Sequence, residues 1–281
     1  MYMKMPLGLK VPGASRNTHA LKLKKNIYGQ KQAGRVWNKH LCQGLERIGF
    51  EPSKVDECVY YRGNVIFCFF VDDGIFYSPD ATAVDAAIAD LLNEEKTGTR
   101  FELENRGDVS DYLGINFDRK PDGRVFLTQP HLIQQIIDDV NLPVNQRDRT
   151  TPAASSRILQ RDEGATDFDN SFDYHSVIGK LNYLEKGTRP DIAYAVHQVA
   201  RFSANPKQSH AAAVIHLVKY LKDTKDKGII LDPNQDKSFE VYADADFSGN
   251  WFKKTAEHDA STSKSRSGYV ITIFGCPIIW Q

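Results

Sequence analysis

The sequence predicts an α+β fold, and three observations carry that expectation. Short runs rich in aromatic and β-branched residues, Cys58–Tyr61, Val65–Val71 and Ile75–Tyr77, are separated by good turn formers, as antiparallel hairpins require. Helical periodicity collects elsewhere, most densely between Tyr174 and Lys222. With 41% hydrophobic and 11% aromatic residues, the 281-residue chain can bury a core, which excludes wholesale disorder. The longest apolar run, Val65 to Val71, is far below the roughly 20 residues of a membrane helix. Met1 to Gly13 carries Lys4, Lys10 and two prolines in place of a secretory signal, so an intracellular protein with no membrane partner is expected. Cys42, Cys58, Cys68 and Cys276 form no CxxC pair and read as reduced thiols, not as a disulfide frame or zinc site.

Taken in order, Lys31 to Ile48 reads as a helix because Trp37, Leu41, Leu45 and Ile48 share one stripe, with Gly49 as its stop. Lys31 and Arg35 then fall one turn apart, and Lys39 continues that line. The three aromatic runs follow as a meander whose turns are Arg62-Gly63-Asn64 and Asp72-Asp73-Gly74. Asp80 can cap a helix running to about Lys96. Tyr112–Asp118 and Arg124–Thr128 flank the hairpin signal Pro121-Asp122-Gly123, and Pro130 opens another helix. The polar, proline-punctuated stretch from Leu142 to Asn170 reads as a linker. Helical patterns occupy about Tyr174–Glu185, Asp191–Ser203 and Ser209–Lys222. Strands return at Gly228–Leu231, Phe239–Ala243, Tyr269–Phe274 and Ile278–Trp280, with Glu257 and Asp259 in a loop-like tract facing solvent.

The zero net charge hides a polarised chain. Between Met1 and Arg47 ten Lys and Arg face Glu46 alone, so this segment carries +9 and the remainder −9. Such a segment suits a polyanion, or is a solvated basic loop. The sharpest feature is Phe69-Phe70-Val71-Asp72-Asp73-Gly74. Two adjacent carboxylates after a buried strand repel one another, and a hard divalent cation is one physical reason to keep them. An exposed Asp-Asp-Gly turn with nothing bound is the other reading.

The segment from Lys24 to Trp37 (KKNIYGQKQAGRVW) resembles the LKKALYGLKQAPRAW motif of copia-type retrotransposon reverse transcriptases. Val71-Asp72-Asp73 looks like that family's YVDD catalytic motif, and Asp111 to Ile115 (DYLGI) resembles its YFLGI element. Tyr174 to Asp191 is similar to its thumb-side Y-R-x-x-V-G-x-L-x-Y-L-x-x-x-T-R-P-D stretch. Tyr242 to Gly249 (YADADFSG), with the later Ser265–Val270 and Pro277–Trp280, resembles the opening of its ribonuclease H domain. Order and spacing are kept over nearly the whole chain.

The resemblance implies partial polymerase fingers and palm with an antiparallel sheet over 1–145. It places a linker and helical thumb or connection over 146–227, and the start of an incomplete, mixed-sheet ribonuclease H-like domain over 228–281. It implies RNA-directed DNA polymerisation by two-metal nucleotidyl transfer, with an RNA or DNA template-primer and dNTPs as partners. Asp72 becomes a direct ligand of Mg2+ (or Mn2+) and Asp73 a supporting one; Asp244 takes the place of the first ribonuclease H carboxylate. Lys31, Arg35, Gly29 and Gln32 become candidates for nucleotide and template contact, though Lys31 and Arg35 also read as solubilising charges. Gly29 fits a turn as well as it fits a close approach to ligand. Tyr112, Leu113 and Gly114 become candidates for support of the primer end, with core packing the other role for Tyr112 and Leu113. The family's D-V-x-x-A-F-L-x-G motif, which supplies another catalytic carboxylate, precedes an element that Tyr2 to Leu9 resembles. The expectation is therefore a site whose metal binds only if completed, with weak or no turnover. The alternative is a non-catalytic, nucleic-acid-binding remnant of a transposable element. An unrelated metal hydrolase is disfavoured by the absence of HExxH, P-loop or nucleophile-elbow patterns.

Overall fold

Seven α-helices and thirteen short strands make up the described residues of the computed structural model, which are 1–143, 149–154, 159–162, 164–248, 251, 253 and 263–281. Glu257 and Asp259 lie outside them. The chain divides into two units, Met1–Gly107 and Asp108–Gln281.

In the first unit, β1 (Tyr2–Lys4) and β2 (Ala20–Lys22) form a small antiparallel ribbon that the sequence pattern does not announce. Helix α1 (Ala33–Arg47) follows, then an antiparallel meander of β3 (Glu51–Pro52), β4 (Val59–Arg62), β5 (Val65–Phe70) and β6 (Asp73–Tyr77). Alternation along β5 buries Val65, Phe67 and Phe69 and leaves Ile66 and Phe70 outside, as a half-buried strand demands. Those inward rings join Leu41 and Leu45 of α1, Phe50, Tyr60, Phe101, and Ala87 and Leu91 of helix α2 (Ala81–Leu92) in one core. Fully burying a side chain of this size contributes roughly 1.5–3 kcal/mol. Asp80 caps α2 as expected, and hydrogen bonds from the Thr82 hydroxyl and amide hold its carboxyl below the usual range. The single helix expected to reach Lys96 is broken. Asn93 is extended, ends α2 and caps a separate turn, α3 (Glu94–Thr97), by accepting from the Glu95 and Lys96 amides.

In the second unit, β7 (Asp111–Tyr112), β8 (Ile115–Arg119) and β9 (Val125–Thr128) form a meander, and helix α4 (Pro130–Asp139) opens on its proline. Helices α5 (Tyr174–Gly187), α6 (Ala193–Ala200) and α7 (Gln208–Asp223) pack with α4 around Ile133, Ile136, Val177, Leu181, Val196 and Leu217. Between α5 and α6, Arg189 is 1% exposed. Its guanidinium bridges both Asp191 oxygens at 2.8 Å and donates to the carbonyl and hydroxyl of Thr224. Strand β10 (Ile229–Leu231) pairs antiparallel with β9, so it extends the β7–β9 sheet. The last sheet, β11 (Phe239–Ala245), β12 (Ser267–Ile273) and β13 (Cys276–Trp280), is antiparallel throughout among the described residues, where a mixed sheet was expected. The β12–β13 connection is a tight hairpin, which imposes the antiparallel sense. Trp280 anchors β13 by donating its indole N–H to the Glu185 carbonyl at 2.9 Å.

No described helix is long and apolar enough to cross a membrane. All four cysteines are free, and burial pushes the Cys58 and Cys68 thiols upward, which disfavours the thiolate that nucleophilic chemistry needs.

Candidate nucleotide and primer site

The acid doublet sits where an apolar ribbon runs out. Phe67 lies against Phe76 with ring centroids 4.3 Å apart, and Phe69 stacks on Phe67 at 5.7 Å, which makes the β5–β6 hairpin stiff up to its tip. Phe70 pairs with Asp73, so the turn is Val71-Asp72, one residue earlier than the expected Asp72-Asp73-Gly74. Asp73 and Gly74 belong to β6. The reason is steric: a Cβ at Gly74 would stand 2.6 Å from the Phe67 ring, so Gly74 is the strand position that lets the ring lie flat. Val71 takes φ 58 while Asp72 does not share the left-handed region. That combination marks a type II′-like turn, whose first central position ordinarily holds glycine. A β-branched residue there stores about 1–3 kcal/mol of backbone strain.

Asp72 and Asp73 are both exposed, and neither side chain has a hydrogen-bond or ion partner among the described residues. Their oxygens are the hard donors that magnesium or manganese prefers. No group of three or more His, Cys, Asp or Glu among the described residues is placed to hold a metal ion. The donor chemistry thus fits a divalent ion, while two carboxylates supply a minority of the six oxygens magnesium requires.

The strained tip is tied to α1. The Trp37 indole N–H donates to the Val71 carbonyl at 2.5 Å, and the same ring meets the Phe101 edge at 6.2 Å. The sequence stripe marked Trp37 as a core residue only; its position inside the KQAGRVW segment was the available signal for more. Helix α1 begins at Ala33, two residues later than expected, because Gln32 occupies the N-cap without a side-chain capping bond. Lys31 therefore precedes the helix instead of lying one turn before Arg35 on it. Both are exposed, Arg35 in the first turn. Gln32 is half-buried, with Nε2 at 3.7 Å from the Met1 sulfur. Gly29 has φ 88, and a Cβ there would meet nothing within 4 Å, so a left-handed turn accounts for this glycine.

Tyr112, Leu113 and Gly114 lie in the second unit. Tyr112 pairs with Ile115, which leaves Leu113-Gly114 as the loop, at φ 52 and φ 74. Tyr112 is half-buried; Leu113 and Gly114 are exposed. The Leu113 carbonyl accepts from the Tyr183 hydroxyl of α5 at 2.6 Å, a partner that sequence periodicity had no means to reveal. Asp244 is exposed on β11 opposite Gly268.

Comparison with known proteins decides the family. Residues 1–155 match the model described as reverse transcriptase (RNA-dependent DNA polymerase). The chain belongs to the reverse transcriptase family. Over its full length it is 31% identical to the retrovirus-related Pol polyprotein from transposon RE1 of Arabidopsis thaliana. It is 28% identical, again over its full length, to that from transposon TNT 1-94 of Nicotiana tabacum. It spans only 18% and 21% of those two relatives, so the chain corresponds to one region of a copia-type polyprotein. A transposon Ty5-1 protein of Saccharomyces cerevisiae is 26% identical over the whole chain, which covers 86% of that relative. No solved structure matches the chain.

Proposed function

We propose that this chain is the nucleotide- and primer-binding segment of a retrotransposon RNA-directed DNA polymerase. The observation that carries the reading is the exposed, partnerless Asp72-Asp73 pair on a strained turn, pinned by Trp37 to a helix whose amino end bears Arg35. Asp72 and Asp73 would hold the divalent ion, Asp72 directly and Asp73 in support. When bound, that ion supplies charge neutralisation on the triphosphate and a more acidic primer hydroxyl. Arg35 and Lys31 offer cations to phosphate oxygens, and the positive end of the α1 dipole adds to their attraction. Stiffness of the Phe67–Phe69–Phe76 ribbon holds the two carboxylates in place before substrate arrives. Tyr112, Leu113 and Gly114 support the primer end, and Asp244 stands for the first carboxylate of a ribonuclease H-like part beginning near residue 228, after a thumb or connection over 146–227.

Template-primer binding exceeds turnover on this reading, because two carboxylates alone hold magnesium weakly. That same observation favours a second reading, a nucleic-acid-binding remnant without turnover. Primer extension on an RNA template with magnesium separates them. Extension abolished by Asp72→Asn supports the polymerase; binding without extension supports the remnant; extension undiminished in Asp72→Asn overturns the role given to the turn. Binding should weaken steeply with salt, and Arg35→Ala together with Lys31→Ala should flatten that slope by about 2 in log–log terms.

A further inference from the structure

We infer that Tyr183 is the positioning residue of the primer-contact hairpin: its phenol fixes the Leu113-Gly114 turn in the conformation that meets the primer end. The inference rests on the proposed role of residues 112–114. Both loop residues are left-handed, at φ 52 and φ 74, the signature of a type I′ turn. Glycine adopts that region freely and asparagine tolerates it; leucine does not. The turn therefore needs a hold from outside, and the Tyr183 hydroxyl provides it by donating to the Leu113 carbonyl at 2.6 Å across 70 residues of chain.

Burial does not force this bond. Tyr183 is 48% exposed and Leu113 36%, so the carbonyl could be hydrated instead. The donor is nevertheless rigid. Asp173 caps α5 at the Ser176 amide, Leu181 and Leu184 on either side of Tyr183 are fully buried, and Lys180 reaches Asp139 of α4 at 2.6 Å. Fixing this carbonyl fixes the Leu113-Gly114 peptide plane, and a Cβ at Gly114 would meet nothing within 4 Å, so the turn faces open space. An independent instance strengthens the case: Val71, at φ 58, has its carbonyl held by the Trp37 indole in the same manner. The Val71 and Leu113 turns thus each pair a left-handed non-glycine residue with an aromatic N–H or O–H from a helix.

The test uses the full chain, with amide hydrogen exchange at residues 111–116 and fluorescence anisotropy on two duplexes. One is a DNA primer with a recessed 3′ end on an RNA template, the other a blunt duplex of the same length. Tyr183→Phe, which removes only the hydroxyl, should leave the melting temperature unchanged, quicken hairpin exchange and weaken recessed-end binding about fivefold. Blunt-duplex binding should not change. Adding Leu113→Asn should restore hairpin protection, because asparagine accepts the left-handed conformation unaided. If Tyr183→Phe alters neither exchange nor recessed-end affinity while Tyr112→Ala weakens that affinity, the latch is wrong and the hairpin's primer role stands. If neither variant changes recessed-end affinity, or the wild type binds no duplex, the primer role fails and the inference falls with it.

Discussion

Trp37 and Val71 are 34 positions apart in sequence, yet the indole of one caps the carbonyl of the other at the tip of the acidic hairpin. A side chain from the helix thereby holds the residue that bears the backbone strain beside Asp72. Trp37→Phe removes the donor together with part of the ring, while leaving an aromatic side chain beside Phe101. It should lower stability by about 1 kcal/mol and speed amide exchange at residues 71–73. Urea unfolding together with exchange mass spectrometry checks both; an unchanged exchange rate would show that the ribbon needs no such hold.

Two glycines should respond to alanine with opposite signs. At Gly74 the new methyl meets the Phe67 ring at 2.6 Å, so Gly74→Ala should destabilise by about 1–3 kcal/mol. Gly34 lies inside α1 with open space around it, and Gly34→Ala should stabilise by about 0.5 kcal/mol through helix propensity. Thermal melts of the two variants decide the matter.

Glu185 is completely buried, and among the described residues neither of its carboxylate oxygens has a hydrogen-bond partner, while the half-exposed Lys186 ammonium approaches at 3.3 Å. Replacing it by methionine, of similar volume, removes a buried carboxylate that lacks hydrogen bonds and faces a half-exposed ammonium. Glu185→Met should raise stability by about 1–3 kcal/mol, read from the urea midpoint. A lower midpoint would mean that the carboxylate is held by a partner in solution.

His210 contributes to the pH dependence of the second unit. Burial pushes its imidazole below the ordinary 6.5, against the opposing effects of its bond to the Gln160 carbonyl and the charge of Asp162. The neutral ring accepts from the Lys207 amide at 2.9 Å and meets the Gln160 carbonyl at 2.8 Å while stacking on Phe202. A depressed folded value places its full stabilisation above pH 6.5, and the stabilisation is lost as pH falls from there through the folded value. Stability measured from pH 8 to 5 should drop across that window, and His210→Gln should remove that part of the slope while lowering the plateau.

Local rules read much of this molecule directly. The β5 strand, the Asp80 cap, the proline at the start of α4 and the helices around 174–222 were legible because each depends on residues within a short stretch of chain. The turn register was not. Asp-Asp-Gly is a good turn by composition, but the Phe67 ring needs Gly74 inside the strand, and that contact lies across the hairpin. Asn93 broke the expected α2 because its side chain competes for backbone amides, an effect invisible to periodicity. Trp37 and Tyr183 were legible as motif members but not as donors, since a hydrogen bond to a distant carbonyl leaves no trace in local pattern.

By itself the sequence determined the family, the presence of an acid pair behind an apolar strand, and the basic amino-terminal segment, because residue identity and order carry charge and motif directly. Only the tertiary structure decided which residues form the turns, that Val71 and Leu113 adopt left-handed backbone, and which aromatic side chains hold them there. Those outcomes depend on contacts between residues far apart in the chain, where packing and one well-placed donor override what neighbouring residues would choose alone.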